Sequence, residues 1–230
     1  EELVKLIGAY DIAGYILKFR EYSKLKNTYT NGLKKFIGDD GKIHTTYHQT
    51  IASTGRLSSK DPNLQNIPKG SEFANKIKSA FTTDAGFKLV SFDYSQQELR
   101  ILAYLSKEEN LLEAYRQGHD VHRQTASKIF SVGYDEVTKD QRNVAKTVNF
   151  GLVYGQGAFG LSEQLQKPVQ ECQGFIDKFF ESFPKLKNYF DELLVEGQSK
   201  GYIETIMGRR RGTNGLKSPV AMLRNAARRE

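Results

Sequence analysis

With 230 residues, 38% of them hydrophobic, and a formal charge of +7, the chain has enough apolar content for a sizeable core and a surface suited to a polyanion. Its single cysteine excludes an internal disulfide framework and a cysteine-rich zinc site, and fits a reducing compartment. No apolar run approaches the length of a membrane span and the acidic start EELVKL is unlike a signal peptide, so the expectation is a soluble intracellular protein without a membrane partner.

Residues 1 to about 31 carry helical apolar periodicity through Leu3, Ile7, Ile12, Ile16, Leu17, Tyr22 and Leu25. KIHTTYHQ, residues 43–50, alternates as a strand does. TGRLSSKDPNLQNIP, Thr54 to Pro68, is rich in turn residues and amides and reads as an ordered loop. The apolar run from Lys88 predicts a second strand that delivers Asp93 at its end, with helices following near 95–105 and 108–116. From about 120 to 200 the pattern is helical almost throughout, interrupted near Gly155 to Gly157 and at Lys167-Pro168. GYIETIMGRRRG then predicts a β-hairpin, and residues 217–230 the start of a helix. Internal repeats and low-complexity tracts are absent.

Arg142, Lys146, Phe150 and Tyr154, in RNVAKTVNFGLVYG, follow one another at intervals of four. A helix turns about 100° per residue, so these four side chains form one slowly drifting stripe about 18 Å long. Guanidinium and ammonium suit polyphosphate, and rings suit sugar and base faces, so the stripe has the dimensions of a nucleotide. On an arbitrary helix the same pattern would be two core rings beside a solvated basic edge. Here it stands in company with SFDYSQQELR, Ser91 to Arg100, and with the Thr54 to Pro68 loop.

With these three motifs in this order, the chain resembles the family A DNA polymerases, the bacterial DNA polymerase I family, and the resemblance runs through nearly all 230 residues. It implies an α+β fold: a partial palm with an antiparallel sheet, an inserted all-helical fingers subdomain and a remnant of the thumb. The implied boundaries are 1–42 for the thumb base, 43–118 for the first part of the palm, 119–200 for the fingers and 201–230 for the return to the palm.

The implied activity is template-directed DNA synthesis, in which dNTPs are joined to a primer 3′-hydroxyl with two Mg2+ ions; the partners are primer-template DNA and dNTP. Asp93 and Lys146 are catalytic by this resemblance, and Asp93 with the Tyr94 carbonyl supplies hard oxygen ligands of the kind magnesium takes. Tyr94, Gln96, Glu98, His122, Arg142, Lys146, Phe150 and Tyr154 make up the implied nucleotide site. Glu98 occupies the space a ribonucleotide 2′-hydroxyl would need, and Phe150 rather than tyrosine disfavours dideoxynucleotides. Gln97 departs from the aliphatic residue of many bacterial relatives. Thr54, Arg56, Asn63, Gln65 and Asn66 face the duplex minor groove and primer end, and Arg229 the template strand. His119 and Asp120 read as capping or surface residues, because HDVH lacks the third ligand that zinc needs.

The family's second catalytic carboxylate lies in a His-Asp-Glu hairpin after the fingers, and no histidine follows His122. Asp177 and Asp191 sit in amphipathic helical patterns and offer no substitute. The expectation is one part of a split or truncated polymerase, inactive alone and completed by a polypeptide carrying the rest of the palm. Two alternatives stay open: a non-catalytic nucleic-acid-binding module, and a single-subunit RNA polymerase, against which Glu98 and Phe150 argue. The expected setting is a bacterial or phage-like cytoplasm, or another DNA-containing compartment.

Overall fold

The structure, a computed structural model, describes residues 2–229, without the side chains of Glu2, Lys5 and Arg229; the expected template contact of Arg229 therefore lies outside the described residues. Two compact units divide the chain, Glu1–Phe92 and Asp93–Glu230.

In the first unit, α1 (Glu2–Lys5) leads to α2 (Asp11–Lys24), which opens with an acidic residue and closes with a basic one, as the helix dipole favours. The helix widens into a π-helical turn over Leu25–Thr30, where Leu25 and Tyr29 are buried. β1 (Thr46–His48) pairs antiparallel with β2 (Ser58–Lys60). The polar strand β2 is held by a hydroxyl rather than by apolar burial. Ser59, 5% exposed, accepts from the Leu64 N–H at 3.0 Å and meets Thr45 Oγ1 at 2.7 Å. This arrangement folds the loop up to Asn66, whose carbonyl accepts the Tyr29 hydroxyl. A helix not foreseen in the sequence, α3 (Glu72–Ser79), starts at the Ser71 cap and carries a Glu72–Lys76 pair one turn apart. Its Phe73 packs edge-on against Tyr22.

One expected strand is absent. Residues 87–94 carry no helix or ladder pairing among the described residues, and Phe87, Leu89, Val90 and Phe92 are all exposed, Phe92 at 93%. Apolar alternation becomes a strand only where a neighbour offers the hydrogen-bond ladder and a core covers one face. Neither is supplied here. The strand expected over 43–50 is shorter than its pattern for the same reason: only Thr46–His48 pairs with β2, and Ile43 makes an isolated bridge to Ile37.

The second unit is mainly helical. It comprises α4 (Gln97–Ser106), α5 (Glu109–Arg116), α6 (Val121–Phe130), α7 (Lys139–Val153), α8 (Ala158–Leu165), α9 (Val169–Ser182) and α10 (Pro184–Lys200). Then come the antiparallel pair β3 (Tyr202–Glu204) and β4 (Arg210–Gly212), followed by α11 (Ala221–Arg229). With small antiparallel pairs beside many helices, the fold is α+β as expected.

Sequence punctuation explains the boundaries. Thr138 and Gln141 form a reciprocal capping box that starts α7, and Gly155, at φ +68°, turns the chain out of it. Pro184 occupies the first turn of α10, where its missing N–H costs nothing. Leu111, Val121, Ala126, Ile129, Ala145, Val148, Leu161 and Phe183 belong to one continuous core. At Gly151 a Cβ would meet the Leu161 side chain at 2.8 Å, so glycine lets α8 lie close against α7. The Glu108 carboxylate, 2% exposed, accepts from the backbone N–H groups of Asn110 and Lys185, tying the starts of α5 and α10 together.

Candidate active site

A cleft of about 470 Å³ in the second unit is lined by the Asp93–Glu98 segment on one side and by His122, Arg142, Lys146 and Phe150 on the other. Seven of the eight residues expected at the nucleotide site, Tyr94, Gln96, Glu98, His122, Arg142, Lys146 and Phe150, are thus brought together with the expected catalytic Asp93. Tyr154, the eighth, lies just past the end of α7 and joins the group through its hydroxyl, which donates to the Glu98 carboxylate.

The first wall is a turn. Gln96 sits at φ +53°, a left-handed conformation that costs a non-glycine residue roughly 1–2 kcal/mol, and it redirects the chain into α4. Arg100 braces this turn by donating from Nε to the Ser95 carbonyl at 2.9 Å while its guanidinium lies over the Tyr115 ring. Asp93 is exposed and has no hydrogen-bond or ion-pair partner among the described residues; Tyr94 is 79% exposed. An aspartate carboxylate and a backbone carbonyl are donors that a hard divalent cation takes. No group of three or more His, Cys, Asp or Glu placed to hold a metal occurs among the described residues. The donor set therefore fits one protein carboxylate of a metal site, with the remaining ligands coming from substrate oxygens, water or other protein residues.

The second wall is built by α6 and α7, which pack along one another. Ala145, Val148, Asn149 and Leu152 form the buried face of α7, so Arg142, Lys146 and Phe150 emerge on the cleft side. Asp120 joins the two helices. Its Oδ1 caps α6, accepting from the His122 and Arg123 N–H groups at 2.9 and 3.1 Å. Its Oδ2 holds Arg142 through Nε at 2.8 Å and Nη2 at 2.7 Å. Burial pushes the Asp120 carboxyl up, but the Arg142 and backbone hydrogen bonds outweigh it and leave the pKa below the ordinary value. Lys146 is exposed, with no ion pair among the described residues.

His122 is 3% exposed, its ring tilted against Phe150 with centroids 5.5 Å apart. Burial lowers its pKa to about 4, aided by Arg142 and Lys146 and opposed by Asp120. The imidazole is therefore neutral at physiological pH. Asn149 Nδ2 lies 2.9 Å from its Nδ1 in a buried contact.

Two contributors escaped the sequence reading. Asp120 was expected to cap or to face solvent, and it does cap, but its grip on Arg142 joins residues 22 apart on different elements. Asn149 went unremarked, although a signal was present: an amide occupies a position in the otherwise apolar 145, 148, 152 stripe. Thr54, Arg56, Asn63, Gln65 and Asn66 lie in the first unit and are all exposed, with the Asn63 side chain accepting from the Gln65 N–H in a local turn.

A helical cleft facing a carboxylate-bearing turn, with two cations and two aromatic rings, has the chemistry to take a nucleotide, cations meeting phosphates and rings meeting base or sugar faces. Residues 1–230 match the family described as DNA polymerase family A. The chain is 46% identical over 228 residues to the thermostable DNA polymerase I of Thermus aquaticus and 45% identical over 229 residues to DNA polymerase I of Bacillus subtilis, in each case over 99% of its own length. It covers only 27% and 26% of those relatives, so it spans about a quarter of their length. Among solved structures, the POL domain of Pol1 from M. smegmatis, in complex with DNA primer-template and dNTP, matches with a TM-score of 0.90 and 38% identity, covering 99% of this chain and 40% of that one. The chain belongs to DNA polymerase family A.

Proposed function

We propose that this chain carries the nucleotide-binding half of a DNA-directed DNA polymerase site and acts in joining dNTPs to a primer 3′-hydroxyl. The observation that carries this reading is the cleft itself, in which Asp93 faces a wall bearing Arg142, Lys146 and a neutral His122. Phosphate charge would be met by Arg142, pre-aimed by Asp120, and by Lys146, while the uncharged His122 donates without adding charge. Glu98, held by Tyr154, would fill the sugar 2′ position, and Phe150 would lie against the sugar or base. Asp93 and the Tyr94 carbonyl would hold Mg2+, which when bound activates the attacking hydroxyl and neutralises the triphosphate.

On the same reading Thr54, Arg56, Asn63, Gln65 and Asn66 meet the primer-template minor groove, and residues 119–200 act as fingers between palm segments 43–118 and 201–230, with 1–42 at the base of the thumb. Because one carboxylate cannot neutralise and position two cations, a second must come from polypeptide beyond the described residues, either more of the same polymerase or a separate chain.

Primer extension tests this directly. The chain alone should bind primer-template in a salt-sensitive way without extending it, and adding a polypeptide with the remaining palm should restore extension that Asp93→Asn abolishes. Extension by the isolated chain would contradict the need for a second carboxylate. A folded, associated mixture that binds DNA but never extends a primer would favour a binding module.

A further inference from the structure

Asn149 is 1% exposed, and its Oδ1 is buried without a hydrogen-bond partner among the described residues. Leaving such an acceptor unmatched is costly, a penalty that an aliphatic side chain of similar volume would avoid on this face between Val148 and Leu152. Among the described residues, the one side-chain hydrogen bond this amide makes is the 2.9 Å approach of Nδ2 to His122 Nδ1. An amide nitrogen is a donor, so Nδ1 must present its lone pair, and in a neutral ring the proton then sits on Nε2. Nδ1 being occupied by Asn149, Nε2 is the ring nitrogen left for a ligand in the cleft that His122 lines.

We propose that Asn149 is a positioning residue that fixes His122 as the neutral Nε2–H tautomer, making it an uncharged hydrogen-bond donor to a nucleotide phosphate oxygen. The inference rests on the reading of the cleft as a nucleotide site for its last clause only. The charged groups around the ring are consistent with it. Asp120, at the start of the same helix, spends Oδ2 on Arg142, so no free carboxylate is left to pull a proton onto Nδ1. Arg142 and Lys146 on α7 disfavour a cationic ring, and Asp93 and Glu98 lie on the opposite side of the cleft. A neutral donor fixed in advance needs no rotation or proton movement when the nucleotide arrives, and the two cations beside it already supply the charge.

The test is nitrogen-15 spectroscopy on the full 230-residue chain. It has only four histidines, and comparison with His122→Gln assigns the signals of interest. At neutral pH without nucleotide, His122 should show a protonated Nε2 and a bare Nδ1. Asn149→Asp, whose carboxylate accepts from Nδ1–H, should move the proton to Nδ1 or create an imidazolium at neutral pH. Asn149→Leu, which keeps the volume and removes the donor, should release the ring into exchange between tautomers. A wild-type ring protonated on Nδ1, or a tautomer unchanged in a folded Asn149→Leu chain, would overturn the proposal; the wild-type spectrum suffices should either variant fail to fold. Adding dATP with Mg2+ should shift Nε2 more than Nδ1. If the tautomer is as expected but neither nitrogen responds to nucleotide, the assignment of the cleft fails while the role of Asn149 on the ring stands.

Discussion

The two walls of the cleft are held in opposite ways. On the α6 and α7 side Arg142 and His122 are fixed from behind: Asp120 grips Arg142 and caps α6, Asn149 meets the ring of His122, and Ala145, Val148 and Leu152 anchor α7 in the core. On the Asp93–Glu98 side the carboxylate of Asp93 stands exposed and unpaired among the described residues, on a turn that passes through a left-handed Gln96. Packing thus fixes Arg142 and His122 in advance, whereas Asp93 has no such support, although Arg100 braces the turn that carries it. Substitution of Arg142 should register in both stability and nucleotide use, and that of Asp93 in activity alone.

The largest effect expected is at Asp93. Asp93→Asn in a polymerase completed with the remaining palm should lower primer extension at least about a thousandfold, since a metal's charge stabilisation amounts to several kcal/mol and each 1.36 kcal/mol is tenfold. Its denaturation midpoint should scarcely move, because exposed, unpartnered sites change stability by no more than about 0.5 kcal/mol. A clear loss of stability would mean that Asp93 has partners in the fold and that the contrast between the walls is false.

Next come the two cations. Lys146→Ala and Arg142→Ala should each weaken nucleotide use by about 1.5–3 kcal/mol with far smaller losses in duplex affinity, measured by dNTP kinetics and DNA titration. Only Arg142→Ala should also destabilise the fold, by about 1 kcal/mol, because it strands the half-buried Asp120 carboxylate. Equal stability losses in the two variants would erase the distinction between a fixed and a free cation on α7.

The α6 and α7 wall should also sense pH. The folded His122 takes up its proton only near pH 4, against an ordinary 6.5, so between those values the unfolded state binds more protons and stability falls as the pH drops. Asp120, lowered from 3.8, contributes stability that is full above that value and is lost as pH falls through its depressed pKa. Urea midpoints across this range should therefore decline from about pH 6.5 downward in the wild type, and His122→Gln should flatten the upper part of the decline. An unchanged profile in that variant would show that the ring is not buried neutral.

The smallest effects belong to sugar selection. Glu98→Ala should raise ribonucleotide incorporation relative to deoxynucleotide, and Phe150→Tyr should raise dideoxynucleotide incorporation. Competition assays read both ratios directly. If neither moves, Glu98 and Phe150 do not face the sugar.

Much of the second unit could be read from the chain because its helices carry full apolar stripes and explicit breaks near Gly155 and at Pro168. The Arg142, Lys146, Phe150 stripe was legible for the same reason, since a single helix fixes the geometry of residues four apart. What escaped had a weak local signature or none. β2 is a polar strand held by the Ser59 hydroxyl, and α3 is eight residues long between loops. The strand expected at Asp93 has the right alternation but no neighbour to pair with among the described residues. Asp120 with Arg142, and Asn149 with His122, are 22 and 27 residues apart, and only the packing of α6 on α7 brings them together.

The most direct test of the nucleotide cleft is amide hydrogen exchange on the chain with and without dATP and Mg2+. Protection should appear at 93–98, at the start of α6 and along 142–150, and leave residues 54–66 unchanged in the absence of DNA. Protection confined to other parts of the chain, or the same pattern persisting in an Arg142→Ala, Lys146→Ala double variant, would contradict the assignment of the cleft.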